Sequence, residues 1–265
     1  MKVSIVTISF NQGRFLEEAM RSVIQQDYDN IEYIVVDPGS TDGSREVIDR
    51  YRSRIARVVF QPDSGPGDGL NKGFASASGE IYGYLNADDT YLPGTLKKAC
   101  QIFAKRNEID VLSAHCYIVD ENGRTVQKAF SRTFDLRRYA AGSCVLIQQS
   151  TFFRSRVFKR TGGFNPANRI SWDGELTVEL ALAGARFKVV HDYWSCFRIY
   201  PGSLTGSKDH RERHARERER IAARLGFGDM SQLERKLLWI TGWLGEPVTL
   251  ALRLVDGVVH PDRLV

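Results

Sequence analysis

Tyr84-Leu85-Asn86-Ala87-Asp88-Asp89 ends the short apolar run 81–85 with two adjacent carboxylates. A run of that length, bounded by polar residues, reads as a buried strand, so the aspartates stand at a strand's end. In α/β sheets ligands bind at the carboxyl ends of parallel strands, and hard oxygen donors there suit Mg²⁺ or Mn²⁺ carrying a phosphate. The same pair, with Pro93 following, also reads as the cap and dipole partner of a helix. The rest of the chain has to decide between the two.

Upstream, strand and helix patterns alternate. Residues 3–8 are β-branched and apolar, Phe15, Leu16, Ala19, Met20 and Val23 recur at helical spacing over 15–24, and 31–36 reads again as a strand. Turn chemistry at Thr41-Asp42-Gly43-Ser44 leads into a helix over 45–52, then a short strand over 58–60 and a helix over 68–77. Such alternation predicts a Rossmann-like, mainly parallel sheet flanked by helices, with its ligand crevice at the carboxyl edge. Gly39, Gly43, Gly65, Gly67 and Gly69 all fall in strand-to-helix connections.

Downstream the pattern turns mixed. Residues 111–114 and 116–119 read as strand, with a hairpin signal at Asp120-Glu121-Asn122-Gly123. Ser171-Trp172-Asp173-Gly174-Glu175 opens an apolar helical run closed by Gly184, placing Asp173 at a helix N-terminus. The tail differs again: a dense Arg/Glu run over 210–224, a capping-box pattern at Ser231-Gln232-Leu233-Glu234, and an apolar helix opened by Pro247. The expected organisation is a domain over 1–205, with halves 1–110 and 111–205, and a helical extension over 206–265. Gly245, Glu246, Arg253 and Asp256 interrupt the apolar stretches, which leaves no bilayer span. These helices fit packing on the domain, a homodimer contact, or a peripheral membrane contact.

At 265 residues and 42% hydrophobic content, the chain can bury one substantial core. Its four cysteines lack metal or disulfide spacing, which suits a reducing compartment, and the strand pattern beginning at Met1-Lys2-Val3 leaves no room for a signal peptide. The expected location is the cytoplasm, or the inner face of its membrane. Net charge is a modest +5, but Arg124, Lys128, Arg132, Arg137, Arg138, Arg154, Arg156, Lys159 and Arg160 face only Asp135 across 124–160. That block reads as a solvated face or as a surface for an anionic acceptor, donor or membrane. Without interleaved exposed aromatics or a recognition motif, it argues against nucleic acid.

Four motifs in order, Ser4-Ile5-Val6-Thr7-Ile8-Ser9-Phe10-Asn11, Val35-Val36-Asp37-Pro38-Gly39-Ser40-Thr41-Asp42-Gly43-Ser44, Asp68-Gly69-Leu70-Asn71-Lys72-Gly73 and Leu85-Asn86-Ala87-Asp88-Asp89, resemble the inverting family-2 glycosyltransferases with the GT-A fold. The resemblance covers roughly the first 200 residues and leaves out the tail. It implies a nucleotide-sugar donor, usually a UDP-sugar, and a saccharide or lipid-linked glycan acceptor, as in bacterial surface polysaccharide assembly. It places Thr7, Ser9, Asn11 and Asp37 at the nucleotide, where a carboxylate at Asp37 can accept the imide N–H of uracil. Asp68 and Asn71 fall on a segment lining the donor, though either also serves as a helix cap. The metal motif falls on Asn86-Ala87-Asp88 with Asn in place of the first acid, so Asn86 is left for a ribose hydroxyl. Asp88, then Asp89, become the ligands of Mn²⁺ or Mg²⁺.

The resemblance also makes Asp173 the base that deprotonates the acceptor, with Glu175 as its substitute, and offers Trp172 for stacking on a sugar. Arg198 becomes a fork for the diphosphate. Tyr200 stands where the family often has His, so water, His191 or His210 would complete the metal's coordination. A nucleotidyltransferase, or a sugar-nucleotide-binding scaffold without activity, is the alternative. Against the first, Phe10-Asn11-Gln12-Gly13-Arg14 is a poor version of that class's phosphate loop.

Overall fold

The computed structural model describes residues 1–203, 205 and 208–256. Its elements run β1 (Val3–Ile8), α1 (Gly13–Ile24), β2 (Ile31–Val36), α2 (Ser44–Arg50), β3 (Arg57–Val59), α3 (Pro66–Phe74), β4 (Ile81–Asn86), β5 (Thr90–Tyr91), α4 (Thr95–Lys105), β6 (Val111–Val119), β7 (Thr125–Ala129), α5 (Leu136–Ala140), β8 (Thr151–Arg154), α6 (Ser155–Phe158), α7 (Trp172–Leu182), β9 (Phe187–Arg198), α8 (Lys208–Arg224), α9 (Gln232–Leu244) and α10 (Pro247–Asp256).

Continuous apolar runs of the type seen in β1, β2 and β4 cannot leave either face in water, so they lie in the middle of a covered sheet. Among the described residues that sheet has the order β3-β2-β1-β4-β8-β6-β9-β5, with β7 hairpinned onto β6. β3, β2, β1 and β4 pair in parallel, β8 runs antiparallel between β4 and β6, and β9 returns parallel to β6. The ends of β1, β2 and β4 are level, since Ile8 pairs with both Val36 and Asn86. Two antiparallel steps through β8 restore the original direction, so β6 and β9 finish at that same edge. One rim therefore collects the residues after β1, β2, β4, β6 and β9. This is the GT-A architecture, a mixed, mainly parallel sheet flanked by helices.

Each sheet face carries its own core. One packs Leu16, Met20, Leu96, Phe103 and Trp194, and the other Leu70, Phe74, Phe153, Phe164, Trp172 and Leu176. Gly73 lets α3 lie directly on the sheet, because a Cβ there would stand 2.5 Å from Val6 Cγ1.

Several boundaries moved for local reasons. The helix expected over 45–52 stops at Arg50 and continues as a 3₁₀ turn over Arg52–Arg54. The one expected over 68–77 begins at Pro66, whose fixed φ suits a first helical turn, and ends at Phe74. α4 starts at Thr95 behind Gly94, with β5 between it and the aspartate pair, so Asp88 and Asp89 do not cap a helix.

In the tail, Ser231 and Glu234 form the capping box of α9. α8 docks through Ile221 into a small core with Phe134, Cys144 and Val178. The cationic block of 124–160 does not form one face. Arg154 is buried against main-chain carbonyls, Arg132 lies 4.1 Å over the Trp243 ring, and Lys128, Arg137 and Arg156 pair with Asp256, Glu234 and Asp110. Among the described residues, no helix is long and apolar enough to cross a membrane.

Candidate functional site

At the end of β2, Asp37 is completely buried. Its Oδ1 accepts from the backbone N–H of Gly39 (3.0 Å) and Ser40 (2.8 Å) and from Arg45 Nε (3.2 Å), whereas Oδ2 has no partner. A buried carboxylate oxygen left open is costly, so it marks a place where a donor from outside is wanted. Ser9 Oγ is buried and open in the same way. Asn11, in the left-handed region at φ 52°, receives Thr41 N–H on Oδ1 and donates its own N–H to Ser40 Oγ, tying the two loops together. Thr7 is spent inside, its hydroxyl accepting from Tyr33 at 3.0 Å.

Two neighbours escaped the sequence reading: Phe60, 42% exposed, and Arg45, whose guanidinium lies 4.7 Å from that ring. Their signal was available, since Phe60 directly follows β3 and so ends level with Asp37. Asp63 was also missed; burial raises its carboxyl above the ordinary range.

Asp68 and Asn71, expected to line the donor, hold loops instead. Asp68 accepts from Ser64 N–H (2.9 Å) and pairs with Lys72 (2.9 Å). Asn71 clasps the Gly163–Phe164 turn, accepting from Phe164 N–H (2.9 Å) and donating to its carbonyl (2.8 Å).

The turn after β4 gives its two aspartates opposite duties. Asp89 points inward, 1% exposed; Oδ1 accepts from Arg198 N–H (3.0 Å), and Oδ2 from Gln149 Nε2 (2.9 Å) and Asn86 Nδ2 (3.3 Å). Burial and then the charge of Asp88 push its carboxyl well above the usual range. With both oxygens claimed from within, Asp89 is a poor metal ligand, which corrects its expected role. Asp88 is half-buried at the rim, where Tyr200 donates its hydroxyl to Oδ2 at 3.3 Å while also reaching Gln12 Oε1 at 3.1 Å. Burial raises the Asp88 carboxyl too.

Arg198 is likewise corrected: it is buried and presents no fork to a ligand. Its Nε holds the Asp88 carbonyl (2.9 Å), Nη1 the Asp120 carbonyl (3.2 Å) and Nη2 the Glu18 carboxylate (2.6 Å), so it braces the turn from β9. Gln148 and Gln149, which no motif announced, brace it from below through Asn86 and Asp89.

The donor set fits a divalent cation only in part. Two carboxylates lie together, with the Arg198 charge acting on Asp88, yet no group of three His, Cys, Asp or Glu among the described residues could close around an ion. Hard cations held by one carboxylate normally complete their shell with substrate phosphates and water, which is what this rim permits. His191, in the first half of β9, is not placed to help, since its Nδ1 lies 3.4 Å from Nε2 of His115 on β6. The side chain of His210 lies outside the described residues.

α7 begins at this edge. Trp172 is in the core against Tyr84 (5.6 Å) and Phe164 (5.8 Å), which corrects its expected role on a sugar. Glu175, the substitute base, is 2% exposed and held by Asn165, Asn168 and Arg220. Asp173 remains at the rim, half-exposed, its charge acting on Tyr84, Tyr139 and His214.

Known proteins share the family profile and the fold. The profile of "Glycosyl transferase family 2" matches residues 4–162. An uncharacterized glycosyltransferase of Nostoc sp. is 27% identical, the match covering 89% of this chain and 80% of the relative. Among solved structures, S. aureus TarS in complex with UDP-GlcNAc superposes with a TM-score of 0.69 at 22% identity, covering 90% of this chain and 70% of that one. The mannosyltransferase PcManGT of Pyrobaculum calidifontis, in complex with GDP-Man and Mn²⁺, gives 0.66 at 20% identity, covering 98% of this chain and 76% of that one.

Proposed function

The chain belongs to glycosyl transferase family 2, and from that membership we propose that it moves a hexosyl group from a UDP-sugar to an acceptor hydroxyl with inversion at the anomeric carbon. The observation that carries this reading is the open Oδ2 of buried Asp37 on the same rim as Asp88. An oxygen that only accepts selects a base presenting N–H, as uracil does and cytosine at that position does not. Phe60 and Arg45 flank it as surfaces for the ring. Asp88, with Mg²⁺ or Mn²⁺ when one is bound, faces the diphosphate, and the cation would neutralise charge that develops on the leaving group. Asp173 stands ready at the rim to remove the acceptor proton during in-line attack.

Incubation with Mn²⁺ and a panel of UDP- and GDP-sugars should give slow UDP release from one UDP-sugar in the absence of acceptor. Pyrophosphate release from a nucleoside triphosphate would instead mean a nucleotidyltransferase, and binding of UDP-sugars without release under any condition would favour the inactive scaffold.

For the acceptor we propose a lipid-linked glycan met at an anionic membrane surface. Leu233, Leu237, Ile240 and Leu244 line one stripe of α9, beside exposed Lys236, and Val248, Leu254 and Val255 extend the apolar exposure onto α10. Each such side chain stabilises an interfacial helix by about 1.5–3 kcal/mol when fully buried. The full chain should float with phosphatidylglycerol vesicles and lose that behaviour when Leu237→Glu and Ile240→Glu are combined. Equal flotation of the two proteins, or dimerisation that alone is lost, would remove the membrane reading.

A further inference from the structure

α8 lies outside the matched family segment, yet it packs along α7 in a defined register. Arg220 pairs with Glu175 at 2.7 Å, Arg224 reaches Glu175 at 3.6 Å and also pairs with Glu179, and Ile221 shares a core with Val178. Both helices advance together, and because α8 begins well before Arg220 whereas α7 begins at Trp172, the middle of α8 lies beside the first turn of α7. His214 precedes Ile221 by seven residues, close to two turns, and falls on the same stripe facing α7. Extrapolating the register carries its imidazole toward the first turn of α7, where Asp173 stands. The carboxylate's charge does act on His214.

We infer that His214 is a positioning residue for Asp173, and that the tail helix α8 completes the acceptor side of the catalytic rim. The inference rests on the reading of Asp173 as the base.

The arrangement bears on the aim of that base, not on its strength. A carboxylate at a helix N-terminus is stabilised by the dipole, and a hydrogen bond donated to it stabilises the anion further, but a base without a fixed orientation is poorly aimed. An imidazole against one face of the carboxylate fixes its orientation. Burial, with the nearby Arg218 cation, outweighs the Asp173 charge and lowers the proton affinity of His214, so it is neutral near pH 7 and has one N–H to give. The other titratable or charged groups facing this pair are Tyr139 from α5, Tyr84 from β4, Arg218 from α8 and Glu175 from α7. Burial holds both phenols protonated, Glu175 is already paired with Arg220, and Arg218 Nη1 lies 2.9 Å from where a Cβ of Gly142 would be. Gly174 is required beside them, because a Cβ there would stand 2.5 Å from the Tyr139 hydroxyl.

The test is the pH profile of sugar transfer in full-length His214→Phe, His214→Ala and His214→Gln, with Asp173→Asn alongside. Loss of the imidazole donor should move the acidic limb of kcat upward by about one pH unit and lower kcat about tenfold to a hundredfold, with KM for the donor unchanged. Gln, which can donate from a similar position, should recover most of both. If Phe or Ala folds poorly, the other carries the comparison, since His214 is only half-buried. An acidic limb that stays in place in both, while Asp173→Asn is inactive, overturns the role of His214 and leaves the base assignment standing. Transfer that persists in Asp173→Asn overturns the base assignment itself.

Discussion

Asp88→Ala is expected to reduce sugar transfer by about 10²–10³-fold and to remove the protein's saturable response to Mn²⁺, with little change in thermal stability. The reason is the division of labour within the Asp88-Asp89 turn. The Asp88 carboxylate accepts from Tyr200 at 3.3 Å and from its own backbone N–H, and burial makes it unfavourable in the free protein. Its removal would take away the proposed ligand of a diphosphate-bound cation while leaving the fold's own hydrogen bonds in place. Asp89→Ala is the contrasting control. It would strand Arg198 N–H, Gln149 Nε2 and Asn86 Nδ2 in the interior, at about 1–3 kcal/mol for each unsatisfied donor, and so should lower the melting temperature first. Calorimetry beside Mn²⁺ titration followed by electron paramagnetic resonance separates the two. Wild-type transfer by Asp88→Ala would refute the proposed diphosphate site.

The resemblance ranked Asp88 ahead of Asp89, but that Asp89 turns wholly inward could not be read from the chain, because adjacent identical side chains are distinguished only by where a turn aims them. That turn is aimed by Arg198, Gln148 and Gln149, which lie far away in sequence and meet it only because β8 and β9 fold back beside β4. By contrast, β1, β2 and β4 were legible almost to the residue. Their apolar runs are local, and their pairing in parallel leaves no alternative to burial on both faces. Asp37 was legible as well, since a strand's end followed by Gly39 and Ser40 fixes its backbone partners locally.

Arg198 and Trp172 went the other way. Each is a residue type that suits a ligand, and each was taken by the interior, because composition does not reveal whether an Arg finds carbonyls or a Trp finds Tyr84 and Phe164 first. The contribution of α8 was hidden for a different reason. Its Arg/Glu pattern describes a solvated helix equally well, and only the register of Arg220 on Glu175 shows that one face meets α7.

Asp173→Asn should abolish most of the chemistry while sparing the donor. The amide keeps the size and much of the hydrogen-bonding capacity of the carboxylate but cannot accept the acceptor's proton, a loss worth about 10²–10⁴-fold in rate for a positioned base. Donor binding should survive, because the open oxygen of Asp37 and the Asp88 turn are held by the ends of β2 and β4 and not by the Asp173 side chain. UDP displacement by calorimetry should therefore match the wild type while kcat collapses. In the wild type the rate should fall as pH drops through the carboxyl's titration; in the variant that inflection should vanish, leaving a residual rate that climbs with hydroxide. Glu175 is no substitute. Burial works to raise its carboxyl, but Arg220, Asn168 and Asn165 outweigh that and hold it below the ordinary range, leaving a paired anion with little affinity for a proton. Full activity in Asp173→Asn would place the base outside α7, whereas equal loss of activity and of UDP binding would make Asp173 part of the scaffold of the donor site.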